Sequence, residues 1–331
     1  MSTTQYMPTY RHTSLVNLLA STLTAFALAA NAAEPVKSTS HFINILTAGT
    51  AGIYYQLGHA MSDNFAVKIE GSRPSVQATK GSVENLSLMQ QNKGEVAFTQ
   101  GDTLALAWLG DSEAGFKAKA DKLRGIAAIY PNYVQIVATQ DSGIKTLADL
   151  RGKRLSVGAQ RSGTEVNTRA LLRAAGMSYK DLAKIEYLPF DDSVDLMKNR
   201  LLDATLQTAG LGVPALRELA NAFSIVVVEI PPEIVDKMGA PYQRAVIPKG
   251  TYRGQNIDVK SVALPNYLVT RADLSNELVY KITRAVFEST EELTRAHRAA
   301  ASIRLNRALD GMPVPLHPGA ERYFKENGVS K

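Results

Sequence analysis

The 331-residue sequence has no cysteine. That excludes disulfides, thiolate zinc sites and a lipidated cysteine that would tether the chain to a membrane. Its histidines, at 12, 41, 59, 297 and 317, are far apart, and none falls in a His-Glu-x-x-His helix. The Gly-x-Ser-x-Gly elbow fails, because Gln160 stands where a glycine is needed. The phosphate-loop pattern fails at Gly152-Lys153, where the upstream position is Leu147. Gly49 and Gly52 do not complete a dinucleotide fingerprint. Asp191, Asp192 and Asp195 cluster just before an apolar helix, where acids complement the helix dipole rather than pair for hydrolysis. Lys and Arg are scattered among Asp and Glu, with a formal charge of +6 and no basic stripe interleaved with aromatics, so nucleic acid is not an expected partner. No cofactor, metal or enzymatic activity is expected from these residues.

The one long apolar run lies at the N-terminus. Arg11 and His12 precede Leu15–Ala30, and Ala30-Asn31-Ala32 is a small-x-small site. This order reads as a secretory signal over 1–32, followed by a short leader over 33–40 expected to be disordered. The segment 1–32 holds one basic residue and no acid, which leaves +5 on the mature chain. A secreted, untethered protein is retained in a periplasm, so the expected product is a periplasmic monomer starting near Ala33. About 300 remaining residues exceed one compact core and predict two domains.

Short β-like runs alternate with helical patterns through the rest of the chain. Strands are expected at Ile43–Leu46, Ser75–Ala78, Val96–Thr99, Ile126–Tyr130, Val134–Thr139, Leu155–Gly158 and Ile225–Ile230. Helices are expected at Ile53–Ala66, Ser82–Gln91, Thr164–Ala174 and, as one long element, Ser275–Ala296. This alternation predicts an α/β fold with largely parallel sheets. The segments Tyr130–Thr139 and Ser261–Thr270 share Pro-Asn-Tyr inside an extended apolar context. If both cross between lobes, lobe 1 is discontinuous, 41–134 with 266–331, and lobe 2 is 135–265. A ligand would then lie in the cleft between them.

Four strand–helix junctions carry residues suited to a small acid. The first is Thr47-Ala-Gly-Thr-Ala-Gly-Ile-Tyr-Tyr, with Thr50, Tyr54 and Tyr55. Small residues let a ligand approach the backbone, and the helix start behind them offers free N–H groups. The second is Gly158-Ala-Gln-Arg-Ser-Gly-Thr-Glu, with Arg161, Ser162, Gly163 and Thr164. The third is Lys80-Gly-Ser-Val-Glu-Asn, with Ser82 as an N-cap and Asn85 turning an amide toward the cleft. The fourth is Phe98-Thr-Gln-Gly-Asp, with Gln100 as an amide donor. Each has a plainer reading: a tight turn for the first, a Ser162–Glu165 capping box for the second, capping by Ser82 for the third. All four lie at carboxyl ends of expected strands, where open α/β sheets bind ligands.

Taken in order, these motifs resemble the TAXI-type substrate-binding receptors of TRAP transporters. The likeness runs through Gly81-Ser-Val-Glu-Asn-Leu86, Thr99-Gln-Gly-Asp102, Tyr130-Pro131, Gly143–Lys153, Ser162-Gly-Thr-Glu165, Ile247–Tyr252 and Leu316–Tyr323. Departures fall at Ala48 and Ala51 for glycine, Gln56 for proline, Gly101 for serine, and Arg161. The resemblance implies a two-lobed periplasmic binding protein of type II, with Tyr130 added to the pocket. It implies a ligand such as glutamate, glutamine, 2-oxoglutarate or a related dicarboxylate, and delivery to an ion-gradient-driven TRAP membrane permease. A ligand-sensing module working with a membrane sensor kinase would share the same features.

Overall fold

A computed structural model describes residues 40–330. The expected signal and all but the last residue of the leader lie outside that range.

The first half of the chain builds β1 (His41–Leu46), α1 (Ile53–Lys68), β2 (Ser72–Gln77), α2 (Ser82–Gln90), β3 (Val96–Gln100), α3 (Gly101–Leu109) and the long β4 (Leu123–Thr139). There follow β5 (Arg154–Ser156), α4 (Gly163–Ala174), β6 (Lys184–Glu186), α5 (Phe190–Lys198), β7 (Ala204–Ala209) and α6 (Pro214–Ala222). Then come β8 (Ile225–Val228), α7 (Pro232–Met238), β9 (Gln243–Ile247) and the long β10 (Val259–Arg271). The helices α8 (Asn276–Phe287), α9 (Thr290–Ala296) and α10 (Pro318–Glu326) close the described chain.

The strands form one sheet in the order β2-β1-β3-β10-β4-β7-β5-β6, with β8 on β4 and β9 on β10. The outer strands pair in parallel, β1 with β2 and β3, and β5 with β6 and β7. Both long strands run antiparallel to their neighbours, so the sheet is mixed rather than largely parallel. One half of β4 and of β10 belongs with β3-β1-β2; the other half belongs with β7-β5-β6, β8 and β9. This is a two-lobed α/β architecture whose lobes share two strands.

Two expected element boundaries differ from what forms. Pro131 does not divide β4, because it faces Pro265 in the β10 register. Neither proline has an N–H to offer the ladder, so placing them opposite each other concentrates the loss at one point, followed by a register shift between Pro265 and Tyr267. Conversely, Ser275–Ala296 is two helices. Lys68 Nζ donates to the Glu288 carbonyl at the end of α8 (2.7 Å), giving that carbonyl a partner outside the helix.

Burial follows the apolar periodicity. Leu57 and Phe65 of α1 pack with Ile282 and Val286 of α8 and Phe324 of α10 over Ile43 and Ile45. Leu171 of α4 packs with Ile136, Leu155 and Leu206 in the other lobe. Each such side chain contributes about 1.5–3 kcal/mol of burial, which holds the strand ends and the loops that follow them in place.

Candidate functional site

The cavity between the lobes is built from helix starts. The residues that cap α1 (Gly52), α2 (Gly81), α3 (Gln100), α4 (Ser162) and α5 (Pro189) all line it. The first-turn N–H groups of a helix have no acceptor within that helix, and the aligned peptide dipoles make this end positive. Five such ends around one cavity of about 90 Å³ form a positive enclosure without a fixed cation inside it. Lys80 is the sole charged side chain among the lining residues, and it is exposed; no Asp, Glu or His lines the cavity.

The lobes are shut over this space. The Glu84 N–H, on α2, donates to the Arg161 carbonyl in the loop before α4 (3.1 Å). Within the second lobe, Thr208 N–H donates to Thr164 Oγ1 (3.4 Å) and ties the end of β7 to the start of α4. Further out, Asp102 Oδ2 on α3 accepts from Asn167 Nδ2 on α4 and from Tyr242 OH (2.7 Å each). A Cβ on Gly163 would stand 2.6 Å from Gln100 Oε1 and 2.8 Å from Ser82 Oγ, so the start of α4 meets the opposite wall closely enough that only glycine fits. Gly81, at φ +114°, makes the turn into α2 that brings Ser82 to this wall.

On the cavity's lining residues, four buried polar atoms have no partner among the described residues: Gln100 Oε1, Tyr130 OH, Asn132 Oδ1 and Thr208 Oγ1. An unpaired buried polar group costs about 1–3 kcal/mol, so a cavity that gathers four of them is built for a polar guest. The rest of the wall is apolar: Ala48, Ile53, Ala159, Phe190 and Ala209, with the rings of Tyr54 and Tyr130. Tyr54 stacks on Phe98 (centroids 4.9 Å apart) and meets Tyr130 edge-on. Burial pushes both phenols well above their ordinary range, so both are neutral. Tyr54 OH donates to Asn266 Oδ1 (2.7 Å), and Asn266 Nδ2 donates to the Tyr130 carbonyl (3.0 Å), which fixes the first ring.

Of the residues expected from sequence, Tyr54, Ser82, Gln100, Tyr130, Ser162, Gly163 and Thr164 line this cavity. Thr50, Tyr55, Asn85 and Arg161 do not. Thr50 is exposed at the loop tip, and Gly49 takes the place facing inward. Tyr55 packs edge-on against His59, on another face of α1. Asn85 is a strut: its amide donates to the Thr47 and Phe98 carbonyls (2.7 and 2.8 Å), tying the ends of β1 and β3. Arg161 is exposed with φ +67° and contributes its carbonyl to closure.

Three finer expectations are also corrected. Ser82 is not the cap of α2; its hydroxyl accepts from the Gln100 N–H (3.1 Å). Ser162 does cap α4 through the Glu165 N–H, but Glu165 turns its carboxylate to Arg169 and Tyr179, so the box is half-formed. Gln100 is not an amide donor to the cavity, because its Nε2 donates to the Thr208 carbonyl (3.5 Å), which leaves its buried oxygen without a donor. Asn132, Thr208, Phe190 and Thr79 line the cavity without having been singled out for it. Asn132 had a signal, since it sits in the Pro-Asn-Tyr run repeated at Asn266.

The fold is that of the two-lobed solute-binding proteins, and the cavity lies between its lobes. The chain belongs to the NMT1-like family, whose model matches residues 45–328. PhnD1 from Prochlorococcus marinus (MIT 9301), solved with methylphosphonate, is similar with a TM-score of 0.57 at 10% identity, over 87% of this chain and 99% of that one. A Bordetella bronchiseptica RB50 protein is similar at 0.53 and 14% identity, over 88% and 99%. A Xanthomonas citri protein bound to ATP is similar at 0.51 and 10%, over 87% and 95%. At these identities the likeness is one of fold.

Proposed function

We propose that this protein is a periplasmic solute receptor, not an enzyme, that closes its two lobes over a small organic acid and delivers it to a membrane permease. The observation that carries this reading is the cavity itself: five helix starts, four unpartnered buried polar atoms and no acidic lining residue. A carboxylate placed among those N–H groups gains charge-assisted hydrogen bonds without needing a buried cation. The two fold neighbours captured with methylphosphonate and ATP agree with an anion without deciding it.

The finer reading is the receptor of a TRAP transporter, with lobes 41–134 plus 266–331 and 135–265, secreted by cleavage near Ala33 and acting as a monomer. It rests on the ordered TAXI-type motifs, several of which surround the cavity. Glutamate, glutamine, 2-oxoglutarate and related dicarboxylates are the first ligands to try.

The test is a thermal-shift panel of organic acids, amino acids, sugars and cations on the purified mature protein, with solution scattering on any hit. A ligand that binds only the folded state stabilises it by about 4 kcal/mol at a thousandfold excess over Kd. One or more acids should raise the melting temperature and reduce the radius of gyration. Response to sugars or cations alone would refute the reading.

A further inference from the structure

The two amides in the cavity read a second feature of the ligand. Gln100 and Asn132 are 3% and 2% exposed, and both aim their nitrogens at one acceptor, the Thr208 carbonyl (3.5 and 3.4 Å). Turning either amide over would set oxygen against oxygen there, so the orientation of both is fixed by the same group. Both residues line the cavity, and their oxygens, Gln100 Oε1 and Asn132 Oδ1, are buried acceptors without donors among the described residues. The position of the first is telling: a Cβ on Gly163 would be 2.6 Å from Gln100 Oε1. That acceptor therefore lies against the same α4 start that offers N–H groups to the anion.

We propose, resting on the organic-acid reading above, that the ligand carries a hydroxyl on the carbon next to its carboxylate, and that Gln100 and Asn132 select it. An acceptor beside the anion locus calls for a donor beside the carboxylate. A 2-oxo group or a second carboxylate would present lone pairs to lone pairs. A 2-ammonium group would donate, but no acidic residue lines the cavity to balance its charge, and a buried charge without a partner is costly. A hydroxyl donates without that penalty. Tyr130 OH and Thr208 Oγ1, both able to donate or accept, are left for the remainder of the molecule.

The experiment compares four acids of one skeleton, unsubstituted, 2-hydroxy, 2-oxo and 2-amino, at four, five and six carbons, by calorimetry on the full mature chain. At the best length the 2-hydroxy acid should bind about tenfold tighter than each of the other three, the worth of one well-made hydrogen bond against unpaired acceptors. Gln100→Met should erase the hydroxy-over-unsubstituted affinity ratio, read within the variant so that any general loss of binding cancels. Asn132→Leu is the second variant should the first fail to fold. Equal binding of the four acids, a preference for the oxo or amino acid, or a hydroxy preference that survives the amide variants would overturn this inference alone. Binding of no acid at any length would overturn the organic-acid reading beneath it as well.

Discussion

Gly163→Ala separates closure of the cleft from stability of the fold. Gly163 opens α4 outside the left-handed region, so alanine meets no backbone strain there, and its better helix propensity is worth up to about 1 kcal/mol. The obstacle is across the cleft, where the new Cβ would stand 2.6 Å from Gln100 Oε1, 2.7 Å from Gln100 Cδ and 2.8 Å from Ser82 Oγ. Those atoms belong to the β3–α3 junction and to α2, across the cleft from α4. An added methyl in a packed space costs about 1–3 kcal/mol, charged here against closure. Affinity for the acid should fall about five- to 150-fold by calorimetry. The unliganded melting temperature should hold or rise slightly, because the open form has room for the methyl. Scattering at saturating ligand should show a smaller contraction than in the parent. Parent-like affinity with full contraction would refute the closure argument. A clear drop in the unliganded melting temperature would place Gly163 in the core of the fold rather than on the cleft face.

Three further outcomes follow from other contacts. Burial pushes the Asp102 carboxyl above its ordinary range, despite hydrogen bonds from Tyr242, Thr103 and Asn167. The shut form therefore holds that proton more tightly, so its contribution to closure is present at acid pH and lost as pH rises through the raised value; affinity should grow as pH falls through that value, and Asp102→Asn should flatten the profile in calorimetry. Thr164→Val removes the hydroxyl that accepts from Thr208 N–H and sits at the anion locus, and should weaken binding about tenfold, read beside a melting curve because valine also lowers helix propensity. Arg154, bonded through its guanidinium and backbone N–H, holds the Asp203 carboxyl below its ordinary range. That stability is present above the ordinary range and lost as pH falls through the depressed value; Asp203→Asn should cost about 1–2 kcal/mol in urea unfolding at neutral pH.

The alternation of strands and helices was legible because it depends on local apolar periodicity, and the junctions at strand ends were legible because small and hydroxyl-bearing residues cluster there. What those side chains do once placed was not. Gln100 sits at an expected junction, yet which end of its amide faces the cavity is set by the Thr208 carbonyl, 108 residues further on. Asn85 has the chemistry of a ligand-binding amide, yet the ends of β1 and β3 need a bridging donor, and it is consumed in supplying one. Tyr54 and Tyr55 are adjacent in sequence and about 100° apart around a helix, so only one can wall the cavity. Its aromatic partner, Tyr130, comes from β4.

The twin Pro-Asn-Tyr runs tie these levels together. Each proline removes a ladder donor, and the β4–β10 register sets the two opposite each other, so the strands shared by both lobes have their weakest pairing at Pro131 and Pro265. The residue after the first proline, Asn132, lines the site, and the residue after the second, Asn266, braces its wall. Asn132 presents an unpaired oxygen to the cavity, and Asn266 fixes the Tyr54 ring and holds the Tyr130 carbonyl. A bend at the paired prolines would move both asparagines with it. Closure and the polar lining are then set by the same four residues, and a ligand that satisfies Asn132 also favours the strand geometry that shuts the lobes. If the strands bend at the paired prolines, affinity and closure are one equilibrium, because binding energy gained at Asn132 acts one residue from the bend.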